Sequence, residues 1–374
     1  MTLLFQGSAL NRNRDLKDES EAAMSLLILG DALRVVRSMP KGSANQILTS
    51  PPYYWQRDYG MPGQIGRERT VEEYLERLLA VFDEGRRVLT EDGTCCVNLG
   101  DKYLGGCLQL IPHRFATGMK ERGWIVLNDV TWHKTNCKPE SVRSRFGCDA
   151  EAIFVFAKSR RHYFDRQHEP YSPRTVKRIR QFRERNEKFD ASRHKQDKDR
   201  PSQAPMLLLE RIAKNLVVPG QSAHGMHVAR ANGDNRDVFD GQGRGIRSVW
   251  ALPVARFLGA HFAVWPFEVP RRLILAGCPP NGTVLDLFVG VGTSVVVAEG
   301  LDRTGIGIDI NPAYLELARR NVLDAREKRT RAMEKAAGAG RRRDGNRGED
   351  GRRPATGTAD VARNGEIPGI FEEI

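Results

Sequence analysis

What this 374-residue chain lacks narrows its function before any motif is considered. It has six cysteines (Cys95, Cys96, Cys107, Cys137, Cys148 and Cys278) but no Cys-x-x-Cys pair. His133, Cys137 and Cys148 offer no fourth ligand and fit no zinc spacing, so no metal site is expected. The thiols read instead as reduced and mostly buried, as in a cytoplasmic protein. No long hydrophobic run is present: the longest apolar region, Val284 to Ala298, is interrupted by Asp286 and is too short to cross a bilayer. The apolar patch at Leu3 to Phe5 runs straight into polar, charged residues, which is not the layout of a signal peptide. A Walker phosphate loop is also missing, so ATP-driven translocation is not expected.

What is present supports a folded, basic protein. Hydrophobic residues make up 40% of the chain and charged residues 28%, enough apolar content for a sizeable core. Lys and Arg number 59 against 47 Asp and Glu, a net charge of 59 − 47 = +12, which points toward a polyanionic partner.

Periodicity gives an α/β pattern. Residues 26–29 and 46–49 read as short buried strands, separated by an amphipathic stretch from Asp31 to Met39. Thr70-Val-Glu-Glu73 is a capping box, and the apolar residues Val71, Tyr74, Leu75, Leu78, Leu79 and Phe82 follow at helical spacing. Glu91-Asp-Gly93 reads as a turn, with strands at Thr94–Leu99, Ile125–Trp132 and Ala152–Ala157. After residue 247 the pattern resumes. A helix is predicted from near Pro266 to Gly277, a strand at Thr283–Phe288, a helix at Ser294–Glu299 and a strand at Thr304–Asp309. Asn311-Pro312 then opens a helix to about Lys328. The alternation predicts an α/β fold with a mostly parallel, doubly wound, Rossmann-like sheet.

Composition divides the chain. Residues 1–24 read as an N-terminal extension, either native or derived from a tag, because Leu4-Phe5-Gln6-Gly7 resembles part of a viral protease cleavage site; Met24 offers a second start. Two α/β segments, 25–157 and 247–330, flank a segment at 158–246 with weak apolar periodicity. Lys158 to Arg200 alone holds 15 Lys/Arg and 7 Asp/Glu, a net of +8. That segment reads either as a solvated insertion or as a nucleic-acid-binding module with Lys177, Arg178 and Arg180 at phosphates. Residues 331–374 read as a disordered tail.

Two motifs carry chemistry. Asp286-Leu-Phe-Val-Gly290-Val-Gly292-Thr293 lies in a strand-to-helix turn, where glycines let a ligand approach the backbone closely. Asp309 closes the next predicted strand, 17 residues after Gly292, where a carboxylate can accept hydrogen bonds from both ribose hydroxyls. This pattern marks a nucleoside cofactor. Asp286 would repel a pyrophosphate, and Val295 replaces a third glycine, so S-adenosylmethionine is favoured over a dinucleotide. The second motif is Ser50-Pro51-Pro52-Tyr53. Its two prolines remove backbone donors and leave the Ser50 and Pro51 carbonyls to accept from an exocyclic amino group. Tyr53 offers a face for a flipped base. Taken alone, the same tetrapeptide could be a Pro-Pro turn with a core aromatic.

Together the two motifs resemble the amino-methylating DNA methyltransferases of bacteria and phages. The resemblance runs from about Leu27 to Asn321, apart from the insertion. Val97-Asn-Leu-Gly-Asp101, Trp132-His-Lys134 and His261-Phe-Ala-Val-Trp-Pro266 are similar to further family segments. The resemblance implies catalytic roles for Ser50, Pro51, Pro52 and Tyr53, and S-adenosylmethionine contacts from Asp31, Phe262, Asp286, Phe288, Gly290, Gly292, Thr293 and Asp309. The order of the motifs, catalytic before cofactor loop, resembles the permuted beta group and implies that the basic insertion recognises double-stranded DNA. The resemblance is compatible with a homodimer and with a cognate restriction endonuclease. Serine at the first position of the tetrapeptide resembles cytosine-N4-directed members, leaving adenine-N6 as the alternative; RNA and protein-amide methylation are further alternatives. Ring-carbon methylases use a Pro-Cys nucleophile, and no such dipeptide occurs here.

Overall fold

An eight-stranded sheet organises the computed structural model, which describes residues 25–137, 139–178, 181, 244–255 and 265–344, with side chains to residue 335. Its strands are β1 (Leu26–Leu29), β2 (Ala44–Thr49), β3 (Leu89–Leu99), β6 (Ile125–Lys134), β7 (Ala150–Ala157), β10 (Val249–Leu252), β11 (Thr283–Asp286) and β12 (Thr304–Asp309). Two hairpin strands, β4 (Tyr103–Leu104) and β5 (Cys107–Leu108), lie between β3 and β6, and β8 (His168–Glu169) pairs with β9 (Arg244–Gly245). The sheet order is β1-β12-β11-β2-β3-β7-β6-β10, and only β7 runs antiparallel to its neighbours. The helices are α1 (Ala32–Ser38), α2 (Val71–Val88), α3 (Ile111–Glu121), α4 (Glu268–Gly277), α5 (Thr293–Gly300) and α6 (Pro312–Asp344). Helix α2 packs against α1 and α3, and α5 against α4 and α6. Among the described residues, no helix is long and apolar enough to cross a membrane.

Local chemistry explains the elements. The six apolar positions predicted for α2 are all buried. Thr70 Oγ1 accepts from Glu73 N–H at 3.1 Å, while the Glu73 carboxylate reaches back to Arg69 N–H, one residue before the usual partner. Asn311 caps α6 by accepting from Ala313 N–H at 2.9 Å.

Beyond β10 and the two-residue strands β4, β5, β8 and β9, which have no counterpart among the predicted elements, four elements differ from the sequence pattern. Glu91-Asp-Gly93 lies within β3: the register against β2 shifts between Ala44 and Gln46, and the extra residues form an irregularity in a continuous strand. β11 stops at Asp286 rather than Phe288, because the Asp286 carboxylate takes Phe288 N–H at 3.0 Å and turns the chain out of the ladder. Helix α3 has no counterpart among the predicted elements; it starts after Leu110, which has φ of 54° and offers no capping side chain, and the Asp101 carboxylate accepts from Ile111 N–H at 3.0 Å instead. Helix α6 continues to Asp344, past the expected end near Lys328. Its first half buries Leu315, Ala318, Val322 and Ala325, and Arg326, Arg329 and Arg331 then form ion pairs with Glu299, Asp302 and Glu327.

The chain divides into two compact units, one from the described parts of Met1–Asp165 and Ser248–Ile374, the other from those of Arg166–Arg247. Residues 158–165 therefore group with the sheet. Lys158 is buried, donating to the Leu89 carbonyl at 2.6 Å and pairing with Glu91 at 3.1 Å. Residues 1–24 and 345–374 lie outside the described residues.

Candidate active site

The sheet order places the two motifs side by side. β11 and β2 are parallel neighbours, so the loops leaving their C-terminal ends emerge together, where the strand order changes direction and α/β sheets bind ligands. Thr49, the last residue of β2, donates its hydroxyl to Asp286, the last residue of β11, at 2.6 Å. Ser294, near the start of α5, donates to the other Asp286 oxygen. Asp286 is buried, and that burial raises its pKa while the two hydroxyls and Phe288 N–H lower it. Its oxygens are thus engaged by protein donors, and they fix both loops together.

The cofactor loop turns at Gly290 (φ 50°) and Gly292 (φ 88°), backbone conformations that favour glycine. A Cβ on Gly292 would sit 3.0 Å from Ala318 of α6. Asp309 accepts from Gly290 N–H at 2.9 Å and from Asn311 N–H at 2.7 Å, and its backbone carbonyl accepts from Gly30 N–H at 2.9 Å. Burial pushes the Asp309 carboxyl up to about 6, against the lowering effect of those amides. Asp31 caps α1, accepting from Arg34 N–H at 2.9 Å. One cavity is lined by Asp31, Phe288, Gly290, Thr293 and Asp309 and also by all of Ser50 to Tyr53.

Elsewhere on that cavity, the Ser-Pro-Pro-Tyr loop is held by side chains from β3, β7 and α2. The Pro52 carbonyl accepts from the Tyr74 hydroxyl at 2.8 Å, whereas no described donor reaches the Ser50 or Pro51 carbonyl. Tyr53 Oη donates to Glu151 at 2.8 Å and accepts from Asn98 Nδ2 at 2.6 Å and from Ser50 Oγ at 3.4 Å. Asn98 also donates to Glu151 at 2.7 Å, and Lys134 pairs with the second Glu151 oxygen. Burial and the adjacent Glu151 charge drive the Tyr53 phenol well above its ordinary pKa, so it stays a neutral donor. A Cβ on Gly100 would lie 2.5 Å from the Tyr53 ring, so only glycine leaves that ring its place.

Most residues singled out from the sequence meet here. Gly292 stands at the start of α5 rather than in the cavity wall. Phe262 and Arg180 lie outside the described residues. Lys177 and Arg178 are exposed in helical residues 173–178 of the second unit. Asn98 and Lys134 fall in segments that the family resemblance covers, but the sequence assigns them no role. Glu151 escapes the sequence pattern; its only signal is a carboxylate at the threshold of the apolar run Ala152 to Ala157.

Comparison with known proteins assigns the family. A family profile described as DNA methylase, covering the N6 and N4 amino-methylating type, matches residues 44–320. The chain belongs to this family. It is 32% identical over 321 residues to the type II methyltransferase M.Cfr9I of Citrobacter freundii, covering 78% of this chain and 85% of that one. It is 30% identical over 351 residues to the type II methyltransferase M.SmaI of Serratia marcescens, covering 84% and 99%. Among solved structures, the PvuII DNA methyltransferase (cytosine-N4-specific) shares the fold, with a TM-score of 0.51, 16% identity, and coverage of 79% of this chain and 86% of that one. The chain is thus an S-adenosylmethionine-dependent DNA methyltransferase.

Proposed function

We propose that this methyltransferase acts on the N4 amino group of cytosine in double-stranded DNA. The observation that carries the reading is the Ser50–Tyr53 loop: a short neutral hydroxyl and the unengaged Ser50 and Pro51 carbonyls beside a tyrosine ring held in place at its hydroxyl. The cytosine-N4 specificity of the PvuII enzyme agrees with this reading.

The residues of the cofactor end fit S-adenosylmethionine. Asp309 offers a carboxylate without a cationic partner among the described residues, suited to ribose hydroxyls, and Gly290 leaves its backbone approachable. Asp31, Asp286 and Asp309 make this end anionic, which suits a sulfonium and opposes a diphosphate. When bound, S-adenosylmethionine supplies a methyl that the amino nitrogen takes by direct displacement, without a covalent enzyme intermediate. Asp309 and Asp31 hold the nucleoside; Asp286 acts through the loop it fixes. Ser50 Oγ and the Pro51 carbonyl accept from the amino group and orient its nitrogen, while the Tyr53 ring stacks on a base flipped at a cost of about a few kcal/mol. Positioning of this kind is worth several orders of magnitude in rate.

Lys177, Arg178 and Arg180 contact DNA phosphates in this reading. The type II class of the relatives supports a role beside a cognate restriction endonuclease, in the cytoplasm where the DNA lies. Nucleoside mass spectrometry with deuterated-methyl S-adenosylmethionine and unmethylated DNA tests the reading. Label on cytosine N4 is expected. Label on adenine would overturn the cytosine assignment, and no label on DNA would send the search to RNA or protein.

A further inference from the structure

The base end of the cavity contains a charged pair, Lys134 and Glu151, of which the methyl transfer described above uses only Glu151, as a holder of Tyr53. Lys134 closes β6, Glu151 stands near the start of antiparallel β7, and Asn98 lies near the end of β3. All three therefore meet at the edge of the sheet from which the Ser50 loop emerges, and all three line the cavity. The Glu151 carboxylate takes three donors: Tyr53 Oη at 2.8 Å and Asn98 Nδ2 at 2.7 Å reach one oxygen, and Lys134 the other. Lys134 is different. Its ammonium has three N–H groups, and among the described residues only Glu151 accepts from it. The ammonium also lies 5.3 Å from the centre of the buried Trp132 ring. The side chains of Lys134 and Glu151 are 22% and 14% exposed. A partly buried ammonium fixed by one carboxylate, with two donors left over, is suited to an uncharged acceptor on a ligand.

Cytosine presents such an acceptor. Beyond its amino group, the Watson–Crick edge continues with N3 and O2, both acceptors, whereas adenine continues with N1 and a C2–H. We propose that Lys134, oriented by Glu151, donates to O2 of the flipped cytosine and so acts as a specificity-determining residue. Ser50 and Pro51 hold one end of the base edge and Lys134 the other, and adenine leaves the ammonium facing a C–H group. A site built to donate a hydrogen bond rejects an analogue lacking the acceptor, because the buried donor is left unpaired. This inference rests on the cytosine reading above and adds the group that enforces it.

The test uses the full-length enzyme and a DNA duplex carrying a site that it methylates. One duplex keeps cytosine at the target. A second carries a 2-aminopyridine C-nucleoside there, which retains the amino group and the ring nitrogen corresponding to N3 but lacks O2. For the wild-type enzyme, kcat/KM on the analogue should fall about 10- to 100-fold, the value of one hydrogen bond to a charged group. Lys134→Met, which keeps the apolar stem, should show a similar fall on cytosine and lose little more on the analogue, while S-adenosylmethionine affinity by calorimetry stays at the wild-type value. Equal use of cytosine and analogue by the wild-type enzyme overturns the proposal; so does a Lys134→Met enzyme that remains as sensitive to loss of O2 as wild type. The analogue arm leaves the protein unchanged, so equal use of the two duplexes overturns the proposal even if the variant fails to fold. Label on cytosine N4 without O2 dependence defeats this inference alone, whereas label on adenine defeats the cytosine reading with it.

Discussion

The two ends of the cavity are built in opposite ways. The cofactor end is made by backbone: a loop turning at two positive-φ glycines, amides tied down by Asp309, and a buried Asp286 that joins it to β2. The base end is made by side chains: Tyr53, Asn98, Glu151 and Lys134, from a loop and three strands, joined by hydrogen bonds and one ion pair. Backbone construction needs a contiguous run of residues, so it leaves a motif. Side-chain construction needs only strand ends that are neighbours in space, so its parts are dispersed along the chain.

The largest expected effect comes from breaking the base end alone. Tyr53→Ala removes the stacking ring and leaves Glu151 with one fewer donor; turnover should fall by about 100-fold or more while S-adenosylmethionine affinity stays unchanged by calorimetry. Gly100→Ala, which forces a Cβ against the Tyr53 ring, should give the same pattern with a smaller loss. Equal losses in cofactor affinity would erase the distinction between the ends.

The cofactor end should break in the converse manner. Asp309→Ala is expected to weaken S-adenosylmethionine by about 10- to 100-fold, with much of the turnover recovered at saturating cofactor. Burial pushes the Asp309 carboxyl up to about 6, and in the proposed binding mode only its ionised form would accept from both ribose hydroxyls. Affinity should therefore be full above that value and fall as pH drops through it, and Asp309→Asn should bind weakly with no such step. Calorimetry between pH 5 and 8 checks the sign.

Thr49→Val tests the link between the two ends. It deletes the 2.6 Å hydrogen bond to Asp286 and leaves a buried carboxylate short of a donor, so stability should fall by about 1–3 kcal/mol in chemical denaturation, with modest losses in both KM and kcat. The smallest effect is expected outside the sheet unit. Replacing Lys177, Arg178 and Arg180 with Ala should weaken DNA binding and flatten its logarithmic salt dependence by up to about 0.9 for each phosphate no longer neutralised, with cofactor affinity untouched. An unchanged slope returns that segment to a solvated insertion.

The same contrast explains what can be read from the sequence. Strands such as Thr304–Asp309 and the capped helix after Thr70 are legible because local patterning and tertiary burial agree there. Glu91-Asp-Gly93 has turn residues, yet Leu89 before them and Thr94 after them both pair with β2, which carries them inside β3. The end of β11 is hidden because the Asp286 side chain, not an apolar boundary, ends the ladder. At the site, Asp286 to Thr293 and Ser50 to Tyr53 are visible as runs. Glu151 is not, since its partners Tyr53 and Lys134 lie 98 and 17 residues away in sequence and only the β3-β7-β6 order brings them together.

In the proposed mechanism the Ser50 loop, and not the cofactor loop, orients the accepting amino group. Single-turnover methylation by Ser50→Ala, with the enzyme saturated with labelled S-adenosylmethionine before DNA is added, tests it most directly. Wild-type cofactor affinity and a methyl-transfer rate reduced by about 100-fold or more are expected. Transfer at the wild-type rate would contradict it and place the active site elsewhere.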